Sequence, residues 1–91
     1  MIFEYDEAKS ITNKSKHNID FKEAQRLWDD PYAFELSSPK SVEEPRFLVL
    51  GQIDSKNYTA IITYRETNIR IISVRRSRKK ETTLYESIRT R

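Results

Sequence analysis

The chain's capacity for chemistry is concentrated in its last third. Arg70-Ile71-Ile72-Ser73-Val74-Arg75-Arg76-Ser77-Arg78-Lys79-Lys80-Glu81 is a β-branched run that flows straight into a block of cations, with one carboxylate at its end. Arg65 to Arg91 carries nine Lys or Arg against three Asp or Glu, a net +6, whereas Met1 to Tyr64 carries −3. An overall charge of +3 thus hides a strong asymmetry. One side of the molecule is expected to bind a polyanion, and RNA is the first to consider. Metal-free RNA cleavage needs a group that takes the 2′-OH proton, cations for the developing phosphorane charge, and an acid for the leaving oxygen. Candidates for proton transfer are His17, the one imidazole, and Glu81, the one carboxylate embedded among the cations. Arg46, Arg70 and Arg75 are candidate phosphate clamps, because the guanidinium fork matches phosphate oxygens. Tyr85 can stack on a base or donate a proton. Lys9, Lys16, Arg70, Arg76, Arg78, Lys79 and Lys80 are candidate RNA-binding cations.

Each candidate also has a plainer reading. A histidine at a helix C-terminus serves the helix dipole. Lys9, Asn13, Lys16 and His17 fall on one helical stripe, which reads as a solvated face. Arg46 can pair with Glu43 or Glu44, Glu81 can serve a helix N-terminus, and Tyr85 can simply pack. Strict alternation along the last strand puts Ile69, Ile71, Ser73 and Arg75 on one face and Arg70, Ile72, Val74 and Arg76 on the other. All three arginines can enter one cleft only if the strand is bulged or one arginine lies beyond the sheet.

The elements that must hold these groups follow from patterning. Ile2 to Tyr5 reads as a short first strand. Asp6 caps a helix that runs to about His17, with Ala8, Ile11 and Ser15 as its thin apolar side, and Asn18 ends it. Asp20 opens a second helix with Glu23 as capping-box partner. Phe21, Ala24, Leu27 and Trp28 form its apolar face, and Asp29-Asp30-Pro31 stops it. Tyr32 to Leu36 reads as an edge strand, and Ser37 to Pro45 as a polar loop. Arg46 to Ile53, Tyr58 to Tyr64 and Ile69 to Arg76 read as strands joined by tight turns at Asp54–Asn57 and Arg65–Asn68. A helix from about Arg78 to Ile88 closes the chain, with Leu84 and Ile88 as its seam. The expected fold is α+β: a helical hairpin on a twisted antiparallel four-stranded meander, with a short first strand and a C-terminal helix, in one domain spanning residues 1–91.

Composition narrows the classes further. There is no cysteine, one histidine and one glycine, Gly51. That excludes a disulfide framework, argues against a transition-metal site, and removes any glycine-rich phosphate loop. No run approaches the roughly 20 apolar residues of a membrane span. No cofactor and no metal are expected, and the expected location is the cytoplasm.

The motifs together resemble the BrnT-type toxins. Phe3-Glu4-Tyr5-Asp6 with Lys9, Asn13, Lys16-His17-Asn18-Ile19 and Phe21-x-x-Ala24 is similar to that family's opening pattern. Asp30-Pro31 sits at its D-P, Arg46-Phe47 with Gly51 at its E-R-F/Y-x-x-x-G, and Arg70-Ile71-Ile72-Ser73-Val74-Arg75 at its R-I-I-S-A-R. Glu81 and Tyr85 resemble its closing E-R-x-x-Y. Tyr5, Asn18, Val74, Ser77 and Thr82 depart from the pattern, and Thr82 removes an arginine. The resemblance implies a RelE-like fold and a metal-independent ribonuclease toxin of a type II toxin–antitoxin pair. It also implies a BrnA-type ribbon-helix-helix antitoxin in a 2:2 complex, with operator DNA contacted only through that antitoxin. Two alternatives compete with an RNA-cleaving enzyme. One is a non-catalytic nucleic-acid-binding module, the other a subunit that only holds its antitoxin.

Overall fold

A computed structural model describes residues 1–38 and 44–91. It contains β1 (Ile2–Glu4), α1 (Glu7–His17), α2 (Phe21–Ala24) continued by a 3₁₀ turn (Gln25–Asp29), β2 (Phe34–Ser38), β3 (Arg46–Ile53), β4 (Lys56–Arg65), β5 (Asn68–Arg76) and α3 (Lys79–Arg89). Ser37 and Ser38, expected in a loop, belong to β2; the rest of that expected loop lies largely outside the described residues.

The strands form one mixed five-stranded sheet in the order β1-β5-β4-β3-β2. β2 to β5 pair antiparallel in chain order. β1 is present as the short first strand that patterning suggested, and it adds a fifth strand to the expected four-stranded meander. It joins the sheet parallel to β5, with Phe3 opposite Ile69 and Glu4 opposite Arg70. Such a pairing between chain ends leaves no local signature. The β3–β4 turn is two residues long, with Asp54 and Ser55 at φ 50° and 66°. Positive φ at both positions matches a type I′ turn and the twist of the flanking strands.

The first face of the sheet carries Val49, Ala60, Ile62, Ile69, Ile71 and Val74, which pack with Ile19, Phe21, Ala24 and Leu27 in one buried core. Phe21, Ala24 and Leu27 are spaced by three, which suits the three-residue turn that follows α2 better than a continued α-helix. Leu27 reaches Gly51: a Cβ there would lie 3.1 Å from Leu27 Cδ2 and 3.2 Å from Ala33 Cβ. The close approach, not a special φ, is what calls for glycine.

α1 docks differently from its expected apolar side. Ile11 is 66% exposed, while Ser10 and Asn13 are buried. Ser10 Oγ accepts from the Phe21 N–H at 2.9 Å. Asn13 Nδ2 donates to the Ile19 and Val74 carbonyls, each at 2.8 Å, and Asn13 Oδ1 accepts from the Val74 N–H at 3.3 Å. β1 accompanies β5 only as far as Arg70, so Asn13 takes the place of a neighbouring strand beside Val74. Polar residues are buried here because they satisfy backbone groups that would otherwise be orphaned.

The opposite edge is closed in the same way. β2 ends its pairing at Leu50, and beyond it the Gln52 N–H donates to Asp30 Oδ2 at 2.8 Å. The Tyr85 hydroxyl donates to the same oxygen at 2.6 Å. Asp30 thus ties the 3₁₀ turn, β3 and α3 together. α3 packs against β3, and its inward residue is Tyr85, not the Leu84–Ile88 seam suggested by spacing; Leu84 is exposed.

Candidate nucleic-acid interface

β5 departs from strict alternation. Ile61 pairs with Ser73 and Ile62 with Ile71, so Ile72 is an extra residue, a β-bulge. A bulge reverses the alternation beyond it. Arg70, Ser73 and Arg75 therefore share the second face, opposite Thr63, Ile61 and Thr59. This corrects the expectation that Arg70 and Arg75 lie on opposite faces. Arg76 remains opposed to Arg75; its guanidinium sits 5.5 Å from the Tyr58 ring centroid and its Nε donates to the Asn57 carbonyl at 3.2 Å. Arg46 opens β3, is exposed, and alternates onto the second face with Leu48 and Leu50. It stands one register step beyond the Phe47–Ile62 pair, in line with Thr63 and Arg70. Glu44, one of its two expected partners, pairs with Arg65 at 3.7 Å, and Glu43 lies outside the described residues.

Arg75 is held by Glu81 through both ends of its fork, Nη1 to Oε1 at 2.7 Å and Nη2 to Oε2 at 2.9 Å. The side chains are 19% and 13% exposed. Glu81 Oε1 also accepts from the Thr59 hydroxyl at 3.0 Å and from the Arg78 N–H at 2.7 Å, where it caps the start of α3. Ser77 Oγ lies 2.9 Å from Thr59 Oγ1 and extends the network. The two bonds from Arg75 pull the Glu81 pKa down to about 2 against the opposing effect of burial, and the bonds from Arg78 and Thr59 add to the lowering. A carboxylate so placed is a weak base at neutral pH. Its geometry is that of a group that orients Arg75.

This pair couples stability to acidity. A carboxylate whose folded pKa is depressed contributes stability above its unfolded value and loses it as pH falls through the folded one. For Glu81 the window runs from 4.5 down to about 2. Glu81→Gln is expected to lower stability at pH 7 by on the order of 2 kcal/mol and to flatten its loss across that window. Urea unfolding of both forms at pH 7 and pH 3 measures this; equal slopes against pH would refute it. Glu23 and Asp54 are also lowered, by Lys14 and Arg26, but these exposed pairs contribute little.

Lys9, Lys16 and His17 do not lie on a purely solvated stripe. With Asp6, Thr12, Asn13, Phe21, Ile72 and Ser73 they line a cleft of about 450 Å³ between α1 and the bulge of β5. His17 is exposed at the end of α1. Arg78, Lys79 and Lys80 are exposed at the start of α3. Three cations there raise a positive potential that the helix dipole reinforces, which costs stability and attracts anions. Arg70 faces Glu4 at 3.4 Å and is partly buried.

Tyr85 departs from its expected role. It is 1% exposed and its hydroxyl is committed to Asp30, so no ring face is available to a base. Burial and then the Asp30 bond push its pKa up, away from proton donation at neutral pH. Reasoning from sequence missed Thr59 altogether and named Asn13 and Asp30 without their buried hydrogen-bonding roles. Only Thr59, between Tyr58 and Ala60, carries a local signal: a polar side chain flanked by apolar ones, which marks a buried hydrogen-bonding site.

Among the described residues no group of three or more His, Cys, Asp or Glu is placed to hold a metal ion. No helix there is long and apolar enough to cross a membrane. No curated protein matches the chain in a sequence comparison. Residues 5–81 match the family described as ribonuclease toxin, BrnT, of type II toxin-antitoxin system. That match spans most of the 91 residues and includes β5, its bulge and Glu81. With a protein antitoxin as the partner that such systems imply, the chain belongs to the BrnT family of ribonuclease toxins.

Proposed function

We propose that the protein is a metal-independent endoribonuclease that cleaves RNA by in-line attack of a 2′-OH on the adjacent phosphate, leaving a 2′,3′-cyclic phosphate. The observation that carries this reading is the bulge at Ile72, which gathers Arg70, Ser73 and Arg75 on one face beside the cationic start of α3. Arg75 is the phosphate clamp, held in orientation by Glu81, and Arg70 and Arg46 extend the cationic track across the same face. Lys9, Lys16, Arg76, Arg78, Lys79 and Lys80 add long-range attraction, so affinity falls steeply with salt. His17, in the cleft that Ser73 also lines, is the group suited to move the proton. A guanidinium fixed by a carboxylate lowers the charge cost of the transition state without reorganising during the reaction.

The arrangement of helices on one face and a trailing helix on the other supports a RelE-like assignment. The proposed antitoxin is BrnA-like, with a ribbon-helix-helix region, assembled two to two; it covers the +6 surface with an acidic or helical segment and carries the operator-binding function.

Incubation of the purified protein with a defined RNA in excess EDTA is the test. Cleavage should persist, the upstream fragments should end in 2′,3′-cyclic phosphate, and a 2′-deoxy substitution at the cleavage site should block it. Products with 3′-hydroxyl ends, or activity abolished by EDTA and restored by magnesium, would refute the mechanism.

A further inference from the structure

The bulge has a second effect besides gathering the arginines. Ile72, half-buried, is displaced from the strand pairing and lines the cleft beside α1. Ser73, the next residue, both lines that cleft and shares the face of Arg70 and Arg75. The cleft therefore adjoins the face of the proposed phosphate track at Ser73. Its volume of about 450 Å³ falls within the range of small-ligand sites. Its lining is divided. Ala8, Phe21 and Ile72 give an apolar wall, while Lys9, Lys16 and His17 give a cationic side.

The polar groups available to a ligand are few. Asn13 is committed to the Val74 and Ile19 backbone, so it is wall and not reader. The Thr12 hydroxyl donates to the Ala8 carbonyl and keeps its acceptor capacity. Among the described residues no hydrogen bond engages the Ser73 hydroxyl, so it is free both to donate and to accept. Asp6, the one carboxylate of the lining, already accepts the Lys9 N–H as helix cap.

We propose that this cleft is a nucleotide subsite: the base lies against Ile72 within reach of Ser73 and Thr12, and the phosphate faces Lys9 and Lys16. The proposal rests on the ribonuclease reading and deepens it, because it makes the cleft the place where the nucleotide beside the clamped phosphate is held and selected. An apolar wall with one free hydroxyl suits a flat heterocycle, and lysines suit phosphate as point charges. The base would be unstacked from its strand, so the substrate is single-stranded RNA.

Titration of the full chain with the four nucleoside 3′-monophosphates, followed by amide chemical shifts, tests binding directly. Thr12, Lys16, Ile72 and Ser73 should move together, with different affinity for different bases. Inorganic phosphate should reproduce only the part near Lys9 and Lys16. Identical shifts with phosphate alone, or none with any nucleotide, would overturn the proposal. Two variants test its use. Lys16→Glu should raise KM for a defined RNA at least tenfold, and Ile72→Thr, which keeps a β-branched residue in the bulge, should redistribute the cleavage positions. Unchanged KM and an unchanged cleavage pattern in folded variants would overturn it. If Lys16→Glu weakens antitoxin binding while nucleotides leave the cleft unperturbed, the cleft is a protein-docking groove and the proposal fails. If nucleotides bind but the wild-type protein cuts no RNA, the subsite stands and the ribonuclease mechanism fails instead.

Discussion

Arg75→Ala is expected to abolish RNA cleavage and growth arrest. Removing one preorganised charge-stabilising donor set from an active site costs roughly 10²- to 10³-fold in rate. Here the loss is compounded, because Glu81 is left as an uncompensated, partly buried carboxylate beside the proposed phosphate site. Growth after induction, at matched soluble levels, should return to that of cells without the toxin, and total RNA should stay intact. Arg75→Lys separates charge from geometry. It keeps a cation but loses the two-pronged grip on Glu81 and should recover only a small part of the activity. Losing Arg75 also weakens a partly buried pair, so a fold control is needed. Arg75→Ala with Glu81→Gln removes the stranded charge, and should regain stability without regaining cleavage. A folded Arg75→Ala protein that cuts RNA within a few-fold of wild type would end the clamp assignment.

Asn13→Ala should produce the largest loss of stability of any single polar truncation in α1. It removes two donated bonds and one accepted bond at a buried position, and leaves the Val74 N–H, the Val74 carbonyl and the Ile19 carbonyl without partners. At 1–3 kcal/mol for each stranded group, partly relieved by water from the adjoining cleft, the net cost is about 3 kcal/mol. That is a large fraction of the stability of a domain this small. Asn13→Asp is a sharper test. At neutral pH it turns two favourable contacts into carboxylate–carbonyl repulsions and should destabilise at least as much as alanine. On acidification the protonated carboxyl can donate again, so the deficit should shrink as pH falls below the carboxyl's pKa. Urea unfolding of the three proteins at pH 7 and pH 4 reads both effects. A cost below about 0.5 kcal/mol for Asn13→Ala would mean that the edge of β5 does not depend on this amide.

Local chemistry was legible in the sequence wherever the controlling partner is a few residues away. Asp6 and Asp20 do cap their helices, Asn18 does end α1 in a left-handed conformation, and Arg46–Ile53 forms a strand with the bounds that its pattern suggests. What escaped depends on distant partners. The bulge at Ile72 exists only relative to β4, so alternation read along β5 alone assigned Arg70 to the wrong face. The inward side of α1 was misread because Ser10 and Asn13 are buried through hydrogen bonds, which an apolar pattern cannot register. Tyr85 looked available because its partner, Asp30, lies 55 residues earlier and reads simply as a helix stop. Of the candidate site, Arg75 and Glu81 were visible as residue types in a basic stretch, but their bidentate grip was not.

The closure of the sheet ties both ends of the chain to its last strand. β1 pairs only with β5, and Asn13 of α1 is anchored 61 residues later at Val74. A chain growing from its N-terminus lacks these partners until β5 has been made. Arg70 and Arg75 lie on that strand, and Glu81 follows it at the start of α3. The element that completes the sheet also carries the arginines proposed to hold phosphate. The proposed anion-binding face is therefore assembled no earlier than the sheet itself.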